Sequence, residues 1–130
     1  MLSIDGNDFQ QPHNDVFAPM NLPILQFKSE MTHNFLLLQR LMAVFFAEIP
    51  KQMKQLTENV KLNQNLLQTQ QLLHTIKGDS RTVGALHVAE IASQAEQAAQ
   101  SGQWPALANL LPQLEQALSQ VHQYWLNTTE

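Results

Sequence analysis

From Met31 almost to the C-terminus, apolar residues recur every three or four positions, and this period decides the fold class. In the first run Phe35, Leu38, Met42, Phe45, Ile49, Met53, Leu56 and Val60 fall on one side of a helix. Pro50 lies inside that run, yet the stripe continues across it in phase. One kinked helix over residues 31–60 is therefore expected rather than two. Residues 61–64 interrupt the pattern and read as a short turn. A second helix is expected over residues 65–82. A third, rich in alanine, runs from near Gly84 to Ser101. Ser101-Gly102 is a stop signal, with glycine supplying the left-handed conformation. Trp104-Pro105 opens a fourth helix, where the missing N–H of proline costs nothing. It reaches about Asn127 with Leu107, Leu110, Leu111, Leu114, Leu118, Val121 and Trp125 as its stripe, and Pro112 is placed to bend it. No segment shows the two-residue alternation of a half-buried strand. Four amphipathic helices joined by short turns pack most economically as an all-α, antiparallel up-down-up-down four-helix bundle over residues 31–127.

Residues 1–30 differ in kind. They hold Pro12, Pro19, Pro23, Gly6 and several asparagines, and no apolar period persists. This stretch reads as a mobile N-terminal arm or linker. Phe17, Leu22, Ile24, Leu25 and Phe27 are able to pack on the bundle as a short capping helix. A solvated tail with a few anchored apolar residues is the plainer expectation.

A chain of 130 residues, 44% apolar, suits one domain with a hydrophobic core. It has no cysteine, so a disulfide framework, a thiolate zinc site and a cysteine nucleophile are all excluded. That absence is compatible with a cytoplasmic location. A net charge of -4 with seven basic residues argues against nucleic-acid binding, where phosphate neutralisation supplies most of the affinity. The apolar clusters at residues 35–38 and 41–47 fall far short of the ~20 residues of a membrane span. Asp5 and Asp8, with no basic-apolar run, are unlike a signal peptide. Neither a nucleic acid nor a membrane is an expected partner.

Candidate chemistry sits on the second helix. On a helical wheel Leu66, Thr69, Leu73, Ile76, Ser80 and Val83 form the buried stripe, with Leu72 at its edge. His74 falls about 140° from the middle of that stripe and should face solvent. Leu67 and Gln71 precede it on the same face, and Gly78 follows one turn later. Glycine inside a helix is unfavourable by about 1 kcal/mol relative to alanine, so Gly78 needs a reason. Access to the His74 ring is one; fraying before a turn at Gly84 is the other. Lys77 lies at the flank, within reach of a group attached to His74. An imidazole, an ammonium and a bare backbone patch together suit an anion. The other histidines are scattered with no pair three or four apart, so no helical metal pair exists. Trp104 and Trp125 are expected in core or bundle-end packing.

The run His74-Thr75-Ile76-Lys77-Gly78, then Gly84-Ala85-Leu86, resembles the signature of histidine-containing phosphotransfer (HPt) domains. Phe45-Phe46 with Pro50 is similar to that family's first bundle helix. Glu96 and its alanine neighbours resemble a Leu-Glu-x-Ala segment, and residues 101–104 the turn into the last helix. The likeness covers roughly residues 31–125. Asp79 departs from it, standing where the family often has a small residue, and the wheel points it away from His74. The resemblance implies a two-component phosphorelay carrier, in which His74 accepts a phosphoryl group on Nε2 from a receiver aspartate and passes it on. It implies that Lys77 neutralises phosphoryl charge and Gly78 leaves room. Leu67, Gln71 and Arg81 would form part of the docking surface. Partners would be receiver domains of response regulators or a hybrid sensor kinase, with Mg²⁺ on the receiver and no cofactor in this chain. No nucleotide-binding motif is present, so autokinase activity is not expected. The alternative is a helical adaptor that binds receivers without transfer. A monomer is the simplest state. Met1 favours a stand-alone protein, while the proline-bearing arm would also suit a linker in a larger kinase.

Overall fold

Among the described residues, 35–129, the computed structural model holds four α-helices and no strand: α1 (Phe35–Leu62), α2 (Leu66–Thr82), α3 (Leu86–Gln100) and α4 (Trp104–Thr129). Residues 1–34 lie outside the described residues, and with them the expected arm and its capping helix. Successive helices pair with each other, and α1 returns to α4, closing an up-down-up-down ring. The pairing of α2 with α3 is the most extensive and that of α1 with α4 the least.

The same device ends each of the first three helices. After α1 the Asn63 N–H donates to the Val60 carbonyl and the Gln64 N–H to the Asn59 carbonyl. After α2, Gly84 donates to Arg81 and Ala85 to Ser80; after α3, Gly102 donates to Ala99 and Gln103 to Ala98. These are Schellman motifs, and each needs one left-handed residue. Asn63 (φ 50°), Gly84 (φ 80°) and Gly102 (φ 67°) supply it. Two expectations shift as a result. The first connection is residues 63–65 rather than 61–64, because asparagine tolerates the left-handed region that closes the helix. Gly84 closes α2 instead of opening α3, which begins at Leu86.

Both internal prolines are accommodated. α1 runs through Pro50 and α4 through Pro112, and both prolines are exposed. The expected stripes form the core. Leu38, Met42, Leu56, Leu73, Ile76, Val88, Leu114 and Val121 are almost wholly excluded from solvent. Trp125 is buried with its ring 6.1 Å from that of Phe35, and Trp104 packs at the other end of α4. α3 turns Ala89, Ala92, Ala95, Ala98 and Ala99 inward, so its backbone approaches its neighbours closely.

One buried polar group ties α1 to α2. Asn59 is fully buried, accepts from Gln55 Nε2 at 3.0 Å and donates to Gln68 Oε1 at 2.9 Å. A buried amide is tolerable only when so satisfied, and here it fixes the connection that leads into α2.

Candidate functional site

α2 carries its apolar stripe inward, as expected: Thr69, Leu73, Ile76 and Ser80 are buried. His74 is thereby turned outward, with 71% of its side chain exposed. The close approach of the alanine-lined α3 brings Glu96 beside it. Glu96 lies one turn beyond Ala92 and one turn before Ala99, on the edge of α3 that meets α2. Its Oε2 is 3.1 Å from His74 Nδ1, and its Oε1 is 2.7 Å from Lys77 Nζ. One carboxylate thus bridges both candidate groups of the second helix.

The electrostatics follow from this bridge. Burial pushes the Glu96 carboxyl up, but hydrogen bonds from Lys77 and His74 and their positive charge outweigh it. The net result is a pKa held below the ordinary 4.5. Glu96 is therefore ionised at neutral pH, and an ionised carboxylate only accepts hydrogen bonds. The facing nitrogen of a neutral His74 must then be Nδ1–H, which leaves the Nε2 lone pair open. Lys77 and Glu96 are largely enclosed, with side chains 18% and 12% exposed, whereas the imidazole stands in solvent.

Gly78 lies within the helix, which continues to Thr82, so fraying does not explain it. A Cβ built there would meet nothing within 4 Å. Packing does not demand the glycine either. Its effect is a bare, exposed stretch of backbone one turn from His74. Leu67, Gln71 and Arg81 are exposed at seven- and three-residue spacings along the same face, Leu67 at 66%. Asp79 is exposed as well. His74, Lys77, Gly78, Leu67, Gln71 and Arg81 therefore lie on or beside one outer face of α2, from which Asp79 is turned away. Lys77 differs from the rest in having its ammonium engaged by Glu96.

A family model described as the Hpt domain matches residues 40–124, most of the described bundle. The chain belongs to the Hpt domain family. No curated protein and no solved structure matches it. The Hpt match spans α2 with His74 and α3 with Glu96, and the all-helical ring is the architecture that the resemblance implied. Among the described residues no helix is long and apolar enough to cross a membrane, and no cluster of three potential metal ligands occurs.

The residue of this cluster that the sequence alone does not bring out is Glu96. It was matched only to a segment of the family pattern. Its partner lies 22 residues away on another helix, so no spacing rule within one helix pairs them. The signal available was an acidic residue at the edge of an otherwise alanine-rich helix.

Proposed function

We propose that this Hpt chain is a phosphorelay carrier whose phosphoryl acceptor is His74 Nε2. Hpt domains act as phosphotransfer intermediates in two-component signalling, and the single observation carrying the specific reading is the Glu96 bridge. It leaves one ring nitrogen of a solvent-exposed histidine free and nucleophilic.

The step balances without a cofactor in this chain. Nε2 attacks the phosphorus of a receiver aspartyl phosphate, and the N–P bond forms as the P–O bond to the aspartate breaks. The aspartate leaves as a carboxylate. The ring keeps its Nδ1 proton and becomes a cation, which the Glu96 carboxylate faces. A fixed negative charge beside a developing positive one favours the transition state. Return of the group to a second aspartate reverses the sequence. Such transfers depend on in-line positioning and charge neutralisation. The receiver supplies the aspartate and Mg²⁺. Lys77 lies within one helical turn of His74 and is available to the phosphoryl oxygens when it exchanges Glu96 for them. Gly78 admits the receiver backbone, and Leu67, Gln71 and Arg81 contact its surface. The expected location is the cytoplasm, where receivers act.

The experiment is to mix the protein with a phosphorylated receiver and follow acid-labile, base-stable phosphate on it. His74→Gln should abolish uptake and leave helical content unchanged. Uptake that survives the substitution overturns the assignment. Tight binding without transfer by the native chain would instead indicate the adaptor.

A further inference from the structure

The seam between α1 and α4 has the least extensive packing in the ring and leaves an open groove. Three pairings show which parts of the two helices lie level with each other. At one end the rings of Phe35 and Trp125 are 6.1 Å apart, and the residues that follow them, Leu36 and Leu126, are 67% and 43% exposed. In the middle the rings of Phe46 and His122 are 4.5 Å apart, with Ala43, Ala47 and Ser119 exposed around them. Toward the other end Lys54 and Lys61 of α1 share a depression with Glu115 of α4. Glu58 points further round α1, away from α4. The strip is thus apolar at one end, lined by short side chains in the middle, and carries opposite charge on its two rims beyond.

We propose that a second copy of this chain packs on this strip about a two-fold axis running along the seam, in place of the monomer that the sequence suggests. Such an axis keeps every residue at its own level and exchanges the two sides, so α1 of each copy faces α4 of the other. Leu36 then meets Leu126 of the second copy, and Lys54 and Lys61 meet its Glu115, each contact occurring twice. Rims of opposite charge at one level make the groove complementary to itself. The short side chains of Ala43, Ala47 and Ser119 let the helices approach to about 8–10 Å. The area also suffices. From Leu36 to Lys61 the strip is about 38 Å long at a rise of 1.5 Å per residue. Two helices side by side make it about 20 Å wide. It therefore offers roughly 750 Å² per copy, close to the ~800 Å² a side of a stable pair. In the ring order the α1/α4 seam lies opposite the α2/α3 seam that carries His74 and Glu96. Both His74 faces thus stay open on opposite outer sides of the pair, and two receivers can dock at once.

Sedimentation equilibrium of the full-length chain measures the pairing directly. Between about 1 and 300 μM the weight-average mass should rise from the 14.7 kDa of one chain toward twice that value. Ala47→Glu sets a charge in the exposed centre of the strip and should hold the mass at one chain, with helical content and phosphoryl uptake unchanged. Lys54→Glu and Glu115→Lys each bring like charges together across the pair and should each weaken association about tenfold. An equimolar mixture of these two variants should regain it, because every charge pair between unlike copies is again of opposite sign. A one-chain mass for the native protein at every concentration overturns the proposal; that is the outcome if anything other than a second copy covers the groove. So does native association of Ala47→Glu, which would place the pair on another face.

Discussion

Replacing Glu96 by glutamine tests the site more sharply than replacing the histidine itself. The substitution keeps the shape of the side chain and removes its charge. Two things change at once at His74. The carboxylate that faced Nδ1 at 3.1 Å no longer stabilises the ring cation formed during transfer. The amide can also donate to Nδ1, which favours the tautomer with its proton on Nε2 and blocks the nucleophile. Because the imidazole is 71% exposed, the dielectric near that of water applies. Two unit charges at 3.1 Å then interact by about 1.3 kcal/mol. That predicts roughly a tenfold slower single-turnover uptake from a phosphorylated receiver. The measurement is a rapid-quench time course with receiver in excess, paired with long-range proton–nitrogen spectra of the His74 ring. The expected outcome is slower uptake together with a larger share of the Nε2–H tautomer. Native uptake with a native tautomer ratio in Glu96→Gln would refute the reasoning, because the carboxylate would then be orienting nothing.

The remaining predictions address the scaffold. Gly78→Ala has open space for its methyl group, so it should stabilise the helix by about 0.5–1 kcal/mol in denaturant melts; Gly78→Trp should slow transfer by obstructing the receiver. Asn59→Ala removes a fully buried amide with its hydrogen bonds to Gln55 and Gln68, costing about 1–3 kcal/mol by the same melts while leaving uptake intact. On acidification, Glu96 has a folded pKa below its unfolded 4.5, so the native state binds fewer protons there. Its stabilisation is present above pH about 4.5 and is lost as the pH falls through the folded value. Melting temperatures of the native chain and Glu96→Gln should therefore converge below that pH; a gap that persists unchanged would show that the bridge contributes no pH-linked stability.

Much of the fold was legible because a bundle writes its inside onto a three-to-four-residue period. The stripe through Leu38, Met42, Phe45 and Ile49 crossed Pro50 in phase, and α1 does continue through it. The outward direction of His74 came from the same arithmetic on α2. The connections were less legible. Gly84 looks equally like the end of one helix and the start of the next, and only the hydrogen bonds of Gly84 to Arg81 and Ala85 to Ser80 assign it to α2. Asn63 carries no sequence mark that separates it from Asn65, although Asn63 alone closes the Schellman pair.

By itself the sequence determined the helices, their buried faces, the exposure of His74 and the bare backbone at Gly78. These are local consequences of side-chain order on a helix. Tertiary packing decided what His74 is next to. The alanines of α3 let it close on α2, and that approach sets Glu96 between His74 Nδ1 and Lys77 Nζ. Which ring nitrogen is open, and why Lys77 is held at the flank, follow from a contact between residues 22 positions apart. No helical wheel contains that contact, because it depends on the distance between two helices rather than on the order of residues along one.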